Sequence, residues 1–426
     1  MARTNLINLL RSPEQRLLII LGVLFFFLPF GERNITNSVL IAVLLNAIFT
    51  LKAKDWLNAL INPVFYLPAF FMLFYTLSLL WSENVEDGLF QIETKTTLFF
   101  APLILVACSR FLTHKTWEVL KRLFVFGNVG VMLYAFALAG IRVFKAGSMS
   151  FIPEGSTTAK SYFVYQSLAD PIMHPGYLAT FVGIAILITI SFFFNKNKKH
   201  FIGWGVILAF LFFSMLMIQG RINVLALFAV ISVGALILSI KLKAYKWLVI
   251  PVLPFVLLLF LMLFGSNEIK SRYLQMPDLS YDISADASEF NSATYRLAEW
   301  TCAIDVINNN FWIGTGVGNN REALLEMYQT NKFNVGLERK FNAHNQYLEV
   351  TIASGFIGFI FLFSWLIGYG YIGLRNRDLL TVAALAFFMM CMLTESMLER
   401  EWAVILFATY FPVALLSEKG AINKSE

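Results

Sequence analysis

Three residues lying far apart in the chain are of types that could act on a phosphorylated substrate: Arg221, Arg296 and His344. A guanidinium donates paired hydrogen bonds to phosphate oxygens and stays charged at any working pH. An imidazole, with an unperturbed pKa of about 6.5, can take a proton from a hydroxyl near neutrality. Two arginines and a histidine in one place therefore suit transfer of a group from a diphosphate to a hydroxyl. Each residue also has a plainer explanation. Arg221, in the turn Gln219-Gly220-Arg221, could anchor a span by snorkelling. Arg296 could pair with Glu299 on its own helix, and a lone histidine could simply hydrogen-bond at an interface.

His344 has the most informative surroundings. Asn342, Asn345, Gln346 and Tyr347 crowd the entrance to a long apolar segment. Glu349 lies about one turn inside it, where a carboxylate is costly and more often functional than not. Asn345 and Tyr347 are candidate substrate contacts. So is Lys95, which with Glu93 lies near the outer end of an earlier apolar run and could equally form a structural pair. Glu395, Glu399, Arg400 and Glu401 read as a solvated connection with local ion pairs, and His174-Pro175-Gly176-Tyr177 reads as a turn. Gly314-Thr315-Gly316-Val317-Gly318 superficially suggests a nucleotide loop. It follows a helical pattern and no Lys-Ser/Thr comes after it, so it reads as a turn between helices. No set of residues has metal-ligand spacing, and no metal or other cofactor is expected.

The elements that must position these residues are membrane spans. The chain has 426 residues, of which 58% are hydrophobic and 14% charged, with 43 Phe. Soluble domains carry about 25% charged residues. The expected fold class is all-α, a polytopic membrane protein. Apolar runs occur at about 16–31, 35–51, 63–81, 89–108, 121–143, 175–194, 201–219, 222–240, 247–264, 346–372, 379–394 and 401–417. The first is expected to be a retained span, because no small-residue cleavage site follows the basic start.

Twelve spans put both termini on one side. With the N-terminus in the cytoplasm, the inner connections hold Lys52/Lys54, Arg110/Lys115/Lys121/Arg122, Lys196/Lys198/Lys199, Lys241/Lys243/Lys246, Arg375/Arg377 and Lys419/Lys424. Every inner connection is then basic, as the positive-inside rule requires. The net charge of +6 is spread over these short loops and does not point to nucleic acid. Three segments follow: spans one to nine over 1–264, a large outer loop over 265–345, and spans ten to twelve with a cytoplasmic tail over 346–426. Within the loop, Ser292 is a plausible N-cap for a helix reaching Asn309, and a second helix is expected over Asn320–Thr330. Arg221, Arg296 and His344 all fall on the outer face.

At this point the sequence resembles the family of O-antigen ligases and polysaccharide polymerases, bacterial multispanning transferases acting on undecaprenyl-diphosphate-linked glycans. The matching pieces are Gln219-Gly-Arg221, Tyr295-Arg-Leu-Ala-Glu-Trp300, Gly314-Thr-Gly-Val-Gly-Asn319, Ala343-His-Asn-Gln-Tyr-Leu348 with Gly355-Phe-Ile-Gly358, and Leu393-Thr-Glu-Ser396. They cover about 215–415. The resemblance implies a GT-C-like helical bundle in the bacterial inner membrane with a periplasmic active site. It implies an inverting, metal-independent transfer of a polysaccharide from undecaprenyl diphosphate to a hydroxyl of lipid A-core. His344 would be the base or acceptor-orienting group, and Arg221 and Arg296 would stabilise the departing diphosphate. A polymerase and a protein O-oligosaccharyltransferase share these motifs and differ in acceptor. A transporter would place its polar residues near the midplane and show repeated halves. Here they gather at one face and the halves do not match.

Overall fold

The computed structural model describes residues 12–152, 159–193, 201–243, 282–285 and 290–422. The chain forms α1 (Pro13–Phe27), α2 (Arg33–Thr50), α3 (Ala53–Leu60), α4 (Pro63–Leu77), α5 (Val85–Lys95), α6 (Thr97–Ala107) and α7 (His114–Ala146). A two-stranded antiparallel pair, Ser150–Phe151 with Lys160–Ser161, and a short α8 (Tyr165–Ala169) follow. Next come α9 (Pro175–Phe193), α10 (Phe201–Ile218) and α11 (Arg221–Leu242), then α12 (Ser292–Asn309), α13 (Asn320–Thr330) and α14 (Asn334–Arg339). The last three are α15 (Gln346–Arg375), α16 (Leu379–Cys391) and α17 (Glu401–Ile422). Helices start where a side chain can accept from the first free backbone N–H groups. Asn62, Asn84, Thr113 and Asp378 cap α4, α5, α7 and α16 in this way.

Among the described residues, nine helical stretches are long and apolar enough to cross a membrane, with α5 and α6 counting together as Val85–Ala107. Two shorter apolar helices, Leu379–Cys391 and Glu401–Ser417, complete the set. These eleven correspond to eleven of the twelve expected spans. The expected ninth, 247–264, and the start of the large loop lie outside the described residues. The protein is an all-α polytopic membrane protein.

Connections expected on the same side of the membrane meet one another in space. At one end of the bundle Trp402 Nε1 donates to Gly31 O at 2.9 Å, Arg33 pairs with Glu401 at 3.1 Å, and Tyr177 Oη donates to Ser396 O at 3.0 Å. At the other end Arg110 reaches Asp55 and Thr50 O, and Asn376 Nδ2 donates to Leu415 O. The centre is α9. Of its apolar window 89% is buried inside the protein, against 22% for α2. Its first residue follows His174, so the turn carrying that histidine sits at the head of the innermost helix.

The helices of the hydrophilic loop are fixed to the bundle by a break in α15. Gly355 has φ +66°, which interrupts the ladder and frees carbonyls before it and N–H groups after it. The segment before α13 takes up both. Thr315 N and Gly316 N donate to Ile352 O and Ala353 O at 2.8 and 3.0 Å. Phe356 N and Ile357 N donate to Phe311 O and Trp312 O at 2.8 and 3.3 Å. The same segment grips the connection between α4 and α5. Val317 N donates to Ser78 Oγ, Gly318 N to Ser82 Oγ, and Glu83 N and Asn84 N to Asn319 Oδ1. The glycines expected to form a turn do so, and the turn is a clamp. A Cβ on Gly355 would fall 2.3 Å from Trp312 backbone atoms.

Gly355→Ala should therefore destabilise the detergent-solubilised protein by at least about 1 kcal/mol from the backbone conformation alone, read as a lower melting temperature. Gly234→Ala, in α11 with nothing within 4 Å of the added carbon, should change stability by no more than about 1 kcal/mol. Equal melting temperatures for the two variants would show that the clamp is not needed.

Candidate active site

α12 starts one residue earlier than expected. Asn291, not Ser292, is its N-cap and accepts from Ala293 N and Thr294 N at 2.8 and 3.1 Å. Arg296 and Glu299 lie three residues apart on this helix, on neighbouring positions of one side. They do not pair with each other. Arg296 NH2 meets Glu395 Oε1 at 2.8 Å, while its Nε and NH1 donate to Thr394 O and Ser292 O, both at 3.0 Å. Glu299, 2% exposed at its side chain, sits 2.9 Å from His344 Nδ1. Burial explains the exchange of partners, because an uncompensated carboxylate costs several kcal/mol.

His344 is held in a strained turn. Its φ of +41° is a left-handed conformation that a side chain with a Cβ rarely adopts. Three consecutive residues are tied by side-chain acceptors. Ala343 N donates to Glu349 Oε1 at 2.6 Å and His344 N to Asn342 Oδ1 at 3.1 Å. Asn345 caps α15, accepting from Tyr347 N and Leu348 N at 2.9 and 3.2 Å. Glu349, the buried acid one turn into the apolar run, thus shapes the turn that presents His344. Backbone strain of this kind persists only where the surroundings over-determine it.

The ring nitrogens have distinct roles. A carboxylate only accepts, so Nδ1 carries the hydrogen toward Glu299 and Nε2 remains the basic nitrogen. Burial would hold the imidazole down. The charge and hydrogen bond of Glu299, with Glu395 behind it, outweigh burial and the Arg296 cation and hold the ring above its ordinary value. Burial pushes the Glu299 carboxyl up, opposed by His344 and Arg296. We assign the shared proton to Nδ1 and not to Glu299, because the nearby Arg296 cation favours the charged form of that carboxylate.

Arg221 is the first residue of α11 and belongs to the same end of the bundle. Two residues on, Asn223 Nδ2 donates to Gly176 O, Thr180 Oγ1 and Cys391 Sγ at 3.2, 2.8 and 3.2 Å. Gly176 in turn packs on Glu395, where an added Cβ would meet the carboxyl carbon at 3.2 Å. The link from Arg221 to Arg296 thus runs through α9.

The expected substrate contacts Lys95, Asn345 and Tyr347 have their polar groups engaged by the protein. Lys95 is fully buried, 2.6 Å from Glu399 and over the Tyr75 ring, not paired with Glu93. Glu399 also accepts from Gln346 Nε2, and Gln346 Oε1 accepts from Leu398 N, which fastens the 392–400 connection to the head of α15. Tyr347 Oη donates to Met389 O at 2.9 Å.

Residues 206–363 match the family model for O-antigen ligase. A comparison with curated proteins finds no match. The O-antigen ligase segment holds Arg221, Arg296, Glu299, His344 and Glu349, whereas His174, Glu395 and Glu399 come from outside it. The family resemblance read from the sequence is supported over this segment.

Reading the sequence missed Glu299 as a partner of His344 and treated Glu395 and Glu399 as solvated. Glu395 is buried and Glu399 has a side chain only 16% exposed. The signal for Glu299 was its spacing from Arg296, which puts both on one side of α12. Glu299→Gln should lower the pKa of His344, since it removes the carboxylate that raises it. Carbethoxylation of His344, followed by peptide mass spectrometry, reports the neutral ring. Its midpoint should lie above about 6.5 in the parent protein and at lower pH in the variant. A midpoint that does not move would mean that Glu299 does not govern the imidazole.

Proposed function

We propose that this protein is an O-antigen ligase-type glycosyltransferase of the bacterial inner membrane. It moves a polysaccharide from undecaprenyl diphosphate to a hydroxyl of lipid A-core at the periplasmic face, with inversion and without a metal. The observation carrying the reading is the His344–Glu299 pair beside an Arg296 oriented by Glu395. That is a base with an orienting acid, next to a fixed cation. The basic connections, among them Lys52, Arg110, Lys243 and Arg375, lie at the opposite end of the bundle from this site. That arrangement supports termini in the cytoplasm and a site in the periplasm.

In this mechanism the neutral His344 Nε2 takes the proton of the acceptor hydroxyl. The oxygen attacks the anomeric carbon, and the bond from that carbon to the phosphate oxygen breaks on the opposite face. The electron pair leaves with the diphosphate, which Arg296 and Arg221 stabilise. Glu299 is a positioning residue that fixes the tautomer and compensates the positive charge that develops on the ring. Asn345, Tyr347 and Lys95 hold the turn and the neighbouring connection in place.

A deletion strain complemented with variants and examined by lipopolysaccharide gel tests the reading. Undecorated core, with glycan accumulating on its carrier, is expected for the deletion and for His344→Ala at unchanged protein level. A general base of this kind contributes about 10²–10⁴-fold, and loss of Arg296 should cost about 2.7–4 kcal/mol in the barrier. Normal surface glycan in His344→Ala would remove the base. Core carrying a single repeat unit in the deletion would reassign the reaction to polymerisation, and normal lipopolysaccharide with unglycosylated protein would reassign it to protein glycosylation. Transfer by the purified protein should survive EDTA; loss restored by Mg²⁺ would contradict the metal-free step.

A further inference from the structure

A second imidazole faces this site, and the reading above leaves it without a task. His174 precedes α9, and its Nδ1 accepts from Gly176 N at 3.3 Å, so it caps the innermost helix. Its backbone carbonyl accepts from Tyr177 N and Leu178 N. A neutral ring that accepts at Nδ1 carries its hydrogen on Nε2. That atom has no protein partner among the described residues, and the residue is exposed. Gly176, two residues on, packs against the Glu395 carboxyl, which in turn holds Arg296; the charged and titratable groups acting on the ring are Glu395, His344, Arg296 and Asp170. Burial, with His344 and Arg296, holds its pKa below the ordinary value against Glu395 and Asp170. The ring is therefore a neutral donor near neutrality.

Resting on the transfer reaction proposed above, we infer that His174 is a second substrate-contacting imidazole whose Nε2–H donates to a non-bridging oxygen of the departing prenyl diphosphate. It transfers no proton; the hydroxyl proton goes to His344. The two histidines divide the work by their surroundings. Glu299 makes His344 a base, whereas the lack of a carboxylate on its Nδ1 keeps His174 a donor. Arg296 is held by Glu395, against which the head of α9 packs, so the diphosphate would be gripped by a cation and a neutral N–H together. A neutral donor adds stabilisation as charge develops without binding the ground-state dianion as strongly as a third cation would.

The test must separate capping from donation. His174→Ser keeps an N-cap acceptor but is too short to reach the ligand, while His174→Gln restores an N–H near the Nε2 position. In transfer assays with the full-length protein, His174→Ser should lose about 10²-fold in kcat with the acceptor KM unchanged, and His174→Gln should recover much of it. Farnesyl diphosphate, used as a competing probe, should need about tenfold higher concentration to inhibit His174→Ser than the parent. A Ser variant at parental kcat, or Ser and Gln variants equally impaired, would overturn the inference while leaving the transfer reaction standing. A parent protein that neither transfers glycan nor binds farnesyl diphosphate would remove the reaction, and this inference with it.

Discussion

Four carboxylates gather at one end of an apolar bundle, and each must find a counter-charge or a donor. Glu299 takes His344, Glu349 takes the Ala343 N–H, Glu395 takes Arg296, and Glu399 takes Lys95. The cost of leaving any of them bare in an apolar surrounding is several kcal/mol. Three of these pairings join distant parts of the chain and the Glu349 contact shapes the His344 turn locally, so satisfying the acids also assembles the site. The loop helix α12 is drawn to the connection after α16, the His344 turn is drawn to α12, and the break after α5 is drawn to the same connection.

A second constraint works through backbone rather than charge. The interruption at Gly355 leaves polar groups that cannot face lipid. The Phe311–Asn319 segment satisfies them and carries α12 and α13 into fixed register with the bundle. These two loop helices are thereby tied to the spans by backbone hydrogen bonds, which is what a reaction at the headgroup level requires. Positioning groups to within a fraction of an ångström is worth much of a catalytic barrier, and clamped backbone supplies that better than a hinged loop.

Much of the architecture was legible in the sequence because its signals are local. A run of about 20 apolar residues has only one good solution in a bilayer, and basic connections mark one side. The limits expected for α13, Asn320–Thr330, are the observed ones. Arg296 and His344 were legible as candidates because charged and titratable groups are rare in such a chain. Their partners were not legible, because partner choice depends on burial. Glu299 lies three residues from Arg296 yet bonds His344, 45 positions away. Glu395 and Glu399 look solvated in a list of charged residues, and only the packing of α9 and α15 against their connection shows otherwise. His174 looked like a turn residue because its capping role hides the nitrogen that points elsewhere.

In the proposed reaction, one end of the bundle holds a diphosphate between Arg296 and Arg221 with His344 poised at the sugar. A cryo-EM structure of the full-length protein bound to a non-hydrolysable prenyl-diphosphate glycan is the most direct measurement. The account predicts diphosphate oxygens within about 3 Å of both guanidinium groups and the His344 Nε2 facing the anomeric carbon across room for a hydroxyl. Diphosphate density at the opposite end of the bundle, or against neither arginine, would contradict it.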